Sequence, residues 1–554
     1  MNIRPRKLLV IGLDGATFDV IHPLMERGEL PRISRLIRDG AHARLKSTIM
    51  PNSFPAWASL TTGVNPGKHG IFWSLIREHP GSTTLKLMSS YDIRAKRIWH
   101  YLGEAGIRVG VFNIPTEFPA TPVNGFLVCG ALTPDASSPF TYPEELKDEI
   151  LGIVPSYRCE LDYAQLSRER LAGELMDSIG NRERILLHLL KNKPWDFVMA
   201  VFTETDLVQH KYWAGIDSRH PEHPCFDERH KTLIHDVYRR LDEAVGTLVD
   251  ALPEGGMVFL ISDHGFGPFY QSFSLPLWLK EMGYLALADA GVKTAVRSIL
   301  KKTGLIMRAQ KFKSLFSRWR IRLQGKTGIR SLREDDVLTG RNMLTRIDWD
   351  RTRAYSTPDY GIRLNLKGRE PDGIVSPGIE ESRLKEEIKR NLGRLTYSNG
   401  RPIFEAVLTK EEAYSGPWVD RASDIIVPID YAAAPPVPET WPYALTHPFL
   451  NGTHSPFGIL IAHGAGIRKG AEIREAGVAD ITPTILSYFG VPPAEDMDGR
   501  IMEELFEQEI LAGMERSRKG VSGFSSPPPL DGAGSSPGED EKIRQKLKDL
   551  GYLD

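Results

Sequence analysis

Six short apolar runs, each bounded by Gly, Pro or Asp, punctuate the chain. They are "KLLVIGLDG" (7–15), "RVGVFNIP" (108–115), "WDFVMAVFTETD" (195–206), "GMVFLISDHG" (256–265), "ASDIIVPID" (422–430) and "FGILIAHG" (457–464). Near-continuous hydrophobicity over so few residues predicts strands buried on both faces. Between several of them lie segments of helical period, such as "RERLAGELMDSIGNRERILLHLLKN" (168–192) and "HDVYRRLDEAVGTLVDAL" (235–252). Strands alternating with amphipathic helices predict an α/β fold, with a mostly parallel central sheet flanked by helices on both faces.

The pattern changes after about residue 286. From 291 to 333 the chain carries many Lys and Arg and no Asp or Glu. Phe312, Leu315, Phe316, Trp319 and Leu323 fall at helical spacing, with Lys311, Lys313, Arg318, Arg320 and Arg322 between them. Two readings fit: a helix packed on the core with a solvated basic face, or an insertion that binds an anionic membrane surface or phospholipid head groups. From 515 to 541 the Ser/Pro/Gly composition predicts a disordered linker, followed by a short C-terminal helix over 542–554. No internal repeat is visible.

Composition narrows the function classes. With 70 Lys+Arg against 71 Asp+Glu over 554 residues, the net charge is −1, so no nucleic-acid polymer is called for as a partner. Three widely spaced cysteines, Cys129, Cys159 and Cys225, make no disulfide framework and fit a reducing compartment or simple burial. Basic residues precede the first apolar run, as in a signal peptide. However, that run is only "LLVIGL" and ends at Asp14, with no small-residue cleavage pattern, so it reads as a first strand. A cytoplasmic protein is expected.

Candidate chemistry sits where the strands end. Three runs finish in acidic residues: Asp14, Glu204–Asp206 and Asp263. Asp206 and His210 are four apart, so on a helix they share one face and can chelate one ion. Asp263 abuts His264 at the end of an apolar strand, a costly burial that a divalent metal would offset. Of the late histidines, His454 is favoured over His447 and His463, because "NGTH" enters the sheet as a flexible loop. Asp14, Asp206, Asp263, His210, His264 and His454 together give three carboxylates and three imidazoles. Two tetrahedral metal sites want about seven or eight ligands, and the Ser53 hydroxyl adds an oxygen. Ser53, second in "NSFPAWASLTTG", falls near a helix N-cap, with Pro55 in the first turn and Gly63 at the end. His69 in "NPGKHGI" reads as structural.

The ordered series "GLDG", "NSFPAWASLTTGVNPGKHGI", "TDLVQH", "SDHG" and "GTHSPFGILIAHGAGI" resembles the alkaline phosphatase superfamily, in its type I phosphodiesterase/nucleotide pyrophosphatase branch. It is similar to prokaryotic phosphohydrolase/phosphomutase members of that branch, over roughly residues 5 to 505. The resemblance implies an alkaline-phosphatase-like catalytic domain over 5–505, with a cap region inserted at about 270–450. It also implies two divalent metal ions: zinc, with manganese or magnesium as alternatives. One would be held by Asp206, His210 and His454, the other by Asp14, Asp263, His264 and the Ser53 oxygen. Ser53 would be the catalytic nucleophile, forming a covalent phospho-serine that is then hydrolysed, on a small phosphodiester such as a nucleotide or lipid head group. Phosphomutase-type transfer at the same site, or a membrane-surface protein with a vestigial site, are the alternatives. Three departures bear on substrate. Ser53 stands where most of the branch has threonine, an equivalent hydroxyl. Ala56 replaces the phosphate-contacting asparagine of nucleotide pyrophosphatases. Trp57 replaces the arginine that sulfatases need for conversion of their nucleophile.

Overall fold

A computed structural model describes residues 6–77, 79–82, 85–161, 168–288, 347–397, 400–430, 443–445, 450–518 and 542–543. The basic segment 291–333, His447, residues 519–541 and almost all of the expected C-terminal helix lie outside the described residues. Helix Gln508–Arg518 runs past 515, where the polar linker was expected to begin.

The central sheet has nine strands: β1 (Leu8–Leu13), β2 (Ala41–Lys46), β3 (Val109–Ile114), β4 (Gly125–Cys129), β5 (Thr141–Tyr142), β6 (Phe197–Phe202), β7 (Met257–Ile261), β8 (Phe457–Gly464) and β9 (Ala471–Gly477). Their order is β9-β2-β8-β7-β1-β6-β3-β4-β5. Strands β7, β1, β6, β3 and β4 run parallel, and β8 lies antiparallel between β7 and β2. Four of the five parallel strands are continuous apolar runs because helices cover both faces: every residue of β1, β3, β6 and β7 is buried. Strand β2, "AHARLK", alternates buried and more exposed positions, which a search for continuous apolar runs passes over.

Five of the six runs read from the sequence enter this sheet. The sixth does not: Ile425–Ile426 pairs with Gly361–Leu364 and Leu408–Thr409 in a separate four-stranded antiparallel sheet. That sheet sits over its own core, which includes Trp278, Tyr355, Leu364, Ile388 and Ile425. Ile425–Ile426 is apolar enough to imitate a central strand, but its partners, Gly361–Leu364 and Leu408–Thr409, lie in this smaller sheet.

Four helices matter below: α1 (Ser53–Thr62), α2 (Arg168–Asn192), α3 (Glu204–Ile216) and α4 (Leu233–Asp250). Among the described residues no helix is long and apolar enough to cross a membrane. Parallel strands β1, β6 and β7 share a register in which Leu13 stands opposite Phe202 and Gly12 opposite Ile261. Their carboxyl ends therefore deliver Asp14, the start of α3 and Asp263 to one edge, where open α/β sheets form their sites.

Candidate metal centre and nucleophile

The seven residues singled out from the sequence meet at that edge, and all but His454, which is partly buried, are buried. Ligating atoms of Asp14, Asp263 and His264 lie within 4.8 Å of one another, as do those of Asp206, His264 and His454. His210 Nε2 is 3.0 Å from His454 Nε2 and 3.5 Å from Asp206 Oδ1. Ser53 Oγ lies 3.3 Å from Asp14 Oδ1 and 3.2 Å from His264 Nε2. His463, the competing histidine, is on β8 opposite Val258, near the other end of that strand.

Each side chain is placed by a local cause. Helix α3 begins two residues after β6, so Asp206 and His210 project from successive turns of one face. His454 arrives on the strand Gly452–Ser455, which pairs with Gly265–Pro268 just past Asp263–His264. The N-cap of α1 is Asn52, whose side chain accepts from Phe54 N at 3.2 Å, so Ser53 is the first helical residue. Its hydroxyl is thereby released from capping and points at the carboxylates. Gly63 closes α1 at φ 75°, donating its N–H to Ser59 O. Gly15, at φ 67°, turns the chain after Asp14 and gives its N–H to Asp263 Oδ1 at 3.3 Å.

The three imidazoles share one arrangement. His210 Nδ1 faces Gly452 O at 3.1 Å, His264 Nδ1 faces Gly265 O at 3.0 Å, and His454 Nδ1 faces Pro51 O at 2.9 Å. A carbonyl only accepts, so each Nδ1 carries the hydrogen and each Nε2 presents a lone pair inward. With both rings neutral, two lone pairs would face each other 3.0 Å apart at His210 and His454, so either a proton on one of them or a metal ion must lie between the ligands. The carboxylates give the same message. Asp263 Oδ2 is buried with no hydrogen-bond partner. Burial first, then the charges of Asp263 and Asp206, pushes the Asp14 carboxyl well above its ordinary range. Burial, then Asp206, pushes Asp263 up to about 7. Burial also raises Asp206, but His210 and His454 outweigh it and hold that carboxyl below its usual value. Burial, followed by the charge of His454, drives the His264 imidazole well below its ordinary value. A mixed nitrogen and oxygen donor set with crowded lone pairs fits divalent metal ions.

Several supporting residues carried no signal in the sequence as ligands or nucleophiles do. Trp57 Nε1 donates to Asp14 Oδ2 at 2.9 Å, and the ring fills the space beside Gly12, where a Cβ would meet Trp57 at 2.5 Å. Thr205 Oγ1 donates to Asp14 O at 2.5 Å and Gln209 Nε2 to Gly15 O at 2.9 Å, locking α3 against the end of β1. Asn52 alone was readable, as a cap residue one place before a helix.

The sequence profile of the type I phosphodiesterase / nucleotide pyrophosphatase family matches residues 8–455. Among solved structures, human ectonucleotide pyrophosphatase / phosphodiesterase 5 is similar at a TM-score of 0.50 and 14% identity, covering 91% of this chain and 100% of its own. The murine enzyme, an inactive variant in complex with AMP, gives 0.51 at 14% over the same shares. Phosphonoacetate hydrolase from Sinorhizobium meliloti 1021, in complex with phosphonoacetate, gives 0.51 at 14%, covering 86% of this chain and 94% of its own. Among curated proteins no relative matches the chain. The fold is alkaline-phosphatase-like, and its class is that of metal-dependent phosphoric ester hydrolases. The chain belongs to the type I phosphodiesterase / nucleotide pyrophosphatase family.

Proposed function

We propose that the chain is a two-metal phosphodiesterase that cleaves a small phosphodiester, a nucleotide or a lipid head group, through a covalent phospho-serine on Ser53. The observation that carries this reading is the meeting of three inward-facing Nε2 lone pairs, three buried carboxylates and one serine hydroxyl at the carboxyl edge of the sheet. Asp206, His210 and His454 would hold one ion, and Asp14, Asp263, His264 and the Ser53 oxygen the other. The donor set suits zinc, with manganese or magnesium as alternatives.

When bound, the ions supply Lewis acidity that lowers the pKa of the serine hydroxyl and offsets phosphate charge. Ser53 stands at the first position of a ten-residue helix, whose N-terminal potential favours a phosphoryl group close to its backbone. Its Oγ attacks phosphorus, the bond to one ester oxygen breaks, and that oxygen leaves as an alcohol after taking a proton. Water then cleaves the bond between phosphorus and Oγ, releasing the phosphomonoester and restoring the hydroxyl. Asp14, 3.3 Å from Oγ and fixed by Trp57, holds the Ser53 oxygen in place as nucleophile in the first displacement and as leaving group in the second.

Turnover of a bis-aryl phosphodiester against the matching aryl monoester tests the reaction class. Faster cleavage of the diester is expected; monoester cleavage alone, or no turnover of either with metal supplied, contradicts it.

A further inference from the structure

Two arginines lie against one indole. The guanidinium carbon of Arg421 stands 4.2 Å from the Trp418 ring centroid, and that of Arg94 stands 5.7 Å from it. Both side chains are half-buried. Among the described residues neither guanidinium forms an ion pair, and Arg94 Nε is buried with no hydrogen-bond partner. The neighbouring carboxylate, Asp92, is committed elsewhere. It accepts from Lys86 Nζ at 2.8 Å, from Ser89 N at 2.9 Å and from Ser89 Oγ at 2.8 Å. Burial, then the charge of Arg94, holds the Arg421 guanidinium below its ordinary value.

Two cations held against one ring, the charge of one acting on the other and both partly out of water, cost stability unless an anion joins them. Guanidinium forks match phosphate oxygens two at a time, and an aromatic face holds such forks in a fixed orientation. The place in the fold is equally specific. Trp418 N donates to Gly67 O at 2.9 Å, and Arg94 N to His69 O at 2.9 Å. His69 in turn bonds Ser59 of α1 through Nε2 at 2.9 Å. The pair therefore sits where the segment beside the small sheet docks on the chain that follows the Ser53 helix.

We propose that Arg94, Arg421 and Trp418 form a second phosphate site, taking a dianionic phosphoryl group from free phosphate or a phosphomonoester. Near neutral pH a monoester carries close to two negative charges, whereas a diester carries one, so two guanidiniums favour the former.

Titration calorimetry of the full chain with inorganic phosphate, methyl phosphate and dimethyl phosphate tests this. In an Asp206→Asn background, which weakens the carboxyl-edge cluster, phosphate and methyl phosphate should still bind. Arg421→Gln and Arg94→Gln should each weaken that binding by about tenfold or more, and Arg421→Lys by less. Dimethyl phosphate should bind at least about tenfold more weakly than methyl phosphate. Tighter binding of methyl phosphate than of phosphate assigns the site to a monoester; the reverse assigns it to the free ion. Unchanged affinity in both arginine variants overturns the second site. So does loss of all phosphate binding on Asp206→Asn alone, which would put phosphate in the carboxyl-edge cluster and leave the metal reading intact.

Discussion

Two buried charged clusters lie within a few residues of each other at the start of α3, and they are built on opposite plans. One centres on Arg182 of α2, which is 1% exposed. Its Nη1 donates to Glu204 Oε2 at 2.9 Å and to Thr203 Oγ1 at 2.8 Å, and its Nη2 to Cys159 O at 2.8 Å. Glu160 accepts from Thr203 Oγ1 at 2.9 Å, and Ser178 Oγ donates to Glu204 at 2.5 Å. Burial lowers the Arg182 guanidinium, but Glu204 and Glu160 outweigh it and hold the group above its ordinary value. The other cluster, Asp14, Asp206, Asp263 and three histidines, sets carboxylates against carboxylates and lone pair against lone pair. The first sets both of its carboxylates against one guanidinium and the hydroxyls of Thr203 and Ser178, so every buried carboxylate has a partner supplied by the protein. Among the described residues the second has no such internal counter-charge for its carboxylates and offers the donor groups that could hold a metal ion. Burial of charge by itself therefore does not mark a functional site; burial without internal neutralisation does.

The largest expected effect separates the clusters by chemistry. Ser53→Ala should lower phosphodiester turnover by about 10³-fold or more with bound metal unchanged, measured by initial rates and metal content together. Unaltered turnover would remove the covalent route. Next in size, Arg182→Met leaves Glu204 and Glu160 buried without their cation and should cost about 3–5 kcal/mol in urea unfolding, whether or not metal is added. A loss that added zinc repairs would mean the two clusters are not separate.

Asp263→Asn sharpens the contrast through pH. The folded carboxyl is pushed up to about 7, above its unfolded value, so in metal-free protein the native state binds the extra proton. Stability from this group is present at low pH and falls as pH rises from about 4 to about 7, by at most about 1.4 kcal/mol per pH unit. Chelator-treated Asp263→Asn should therefore gain on chelator-treated parent between pH 5 and pH 8 in urea unfolding. Parallel curves would show that the carboxylates do not repel.

A further effect concerns His69, a buried group whose ring nitrogens both have protein partners. Its Nδ1 accepts from Ile71 N at 3.1 Å, which protonation must break, and burial pushes the imidazole down to about 3. The unfolded chain takes up the proton first, so stability is lost as pH falls from about 6.5 towards 3. His69→Gln should flatten that acid limb; an identical slope would mean His69 is not buried neutral.

These contrasts also explain what the sequence revealed. Strand ends that deliver Asp14, Asp206 and Asp263 are local features, as is the i, i+4 spacing of Asp206 and His210. The helix that carries Ser53 could be read from Pro55 and Gly63, although the cap proved to be Asn52. Arg182 was not legible, because a long polar helix offers many arginines and only packing against α3 selects one. Nor was the grip of Trp57 on Asp14, which depends on the space left by Gly12. Residues 422–430 were placed in the wrong sheet because strand propensity says nothing about partner; Ile425 and Ile426 find theirs at Gly361–Ile362 and Leu408–Thr409.

Metal content tests the central claim most directly. After purification without chelator and gel filtration in metal-free buffer, elemental analysis should find two divalent ions per chain in the parent and in Arg182→Lys. Asp206→Asn and Asp263→Asn should each lose about one of them. A parent chain without bound metal, or aspartate variants that keep the full complement, would contradict the claim that this cluster is built for cations.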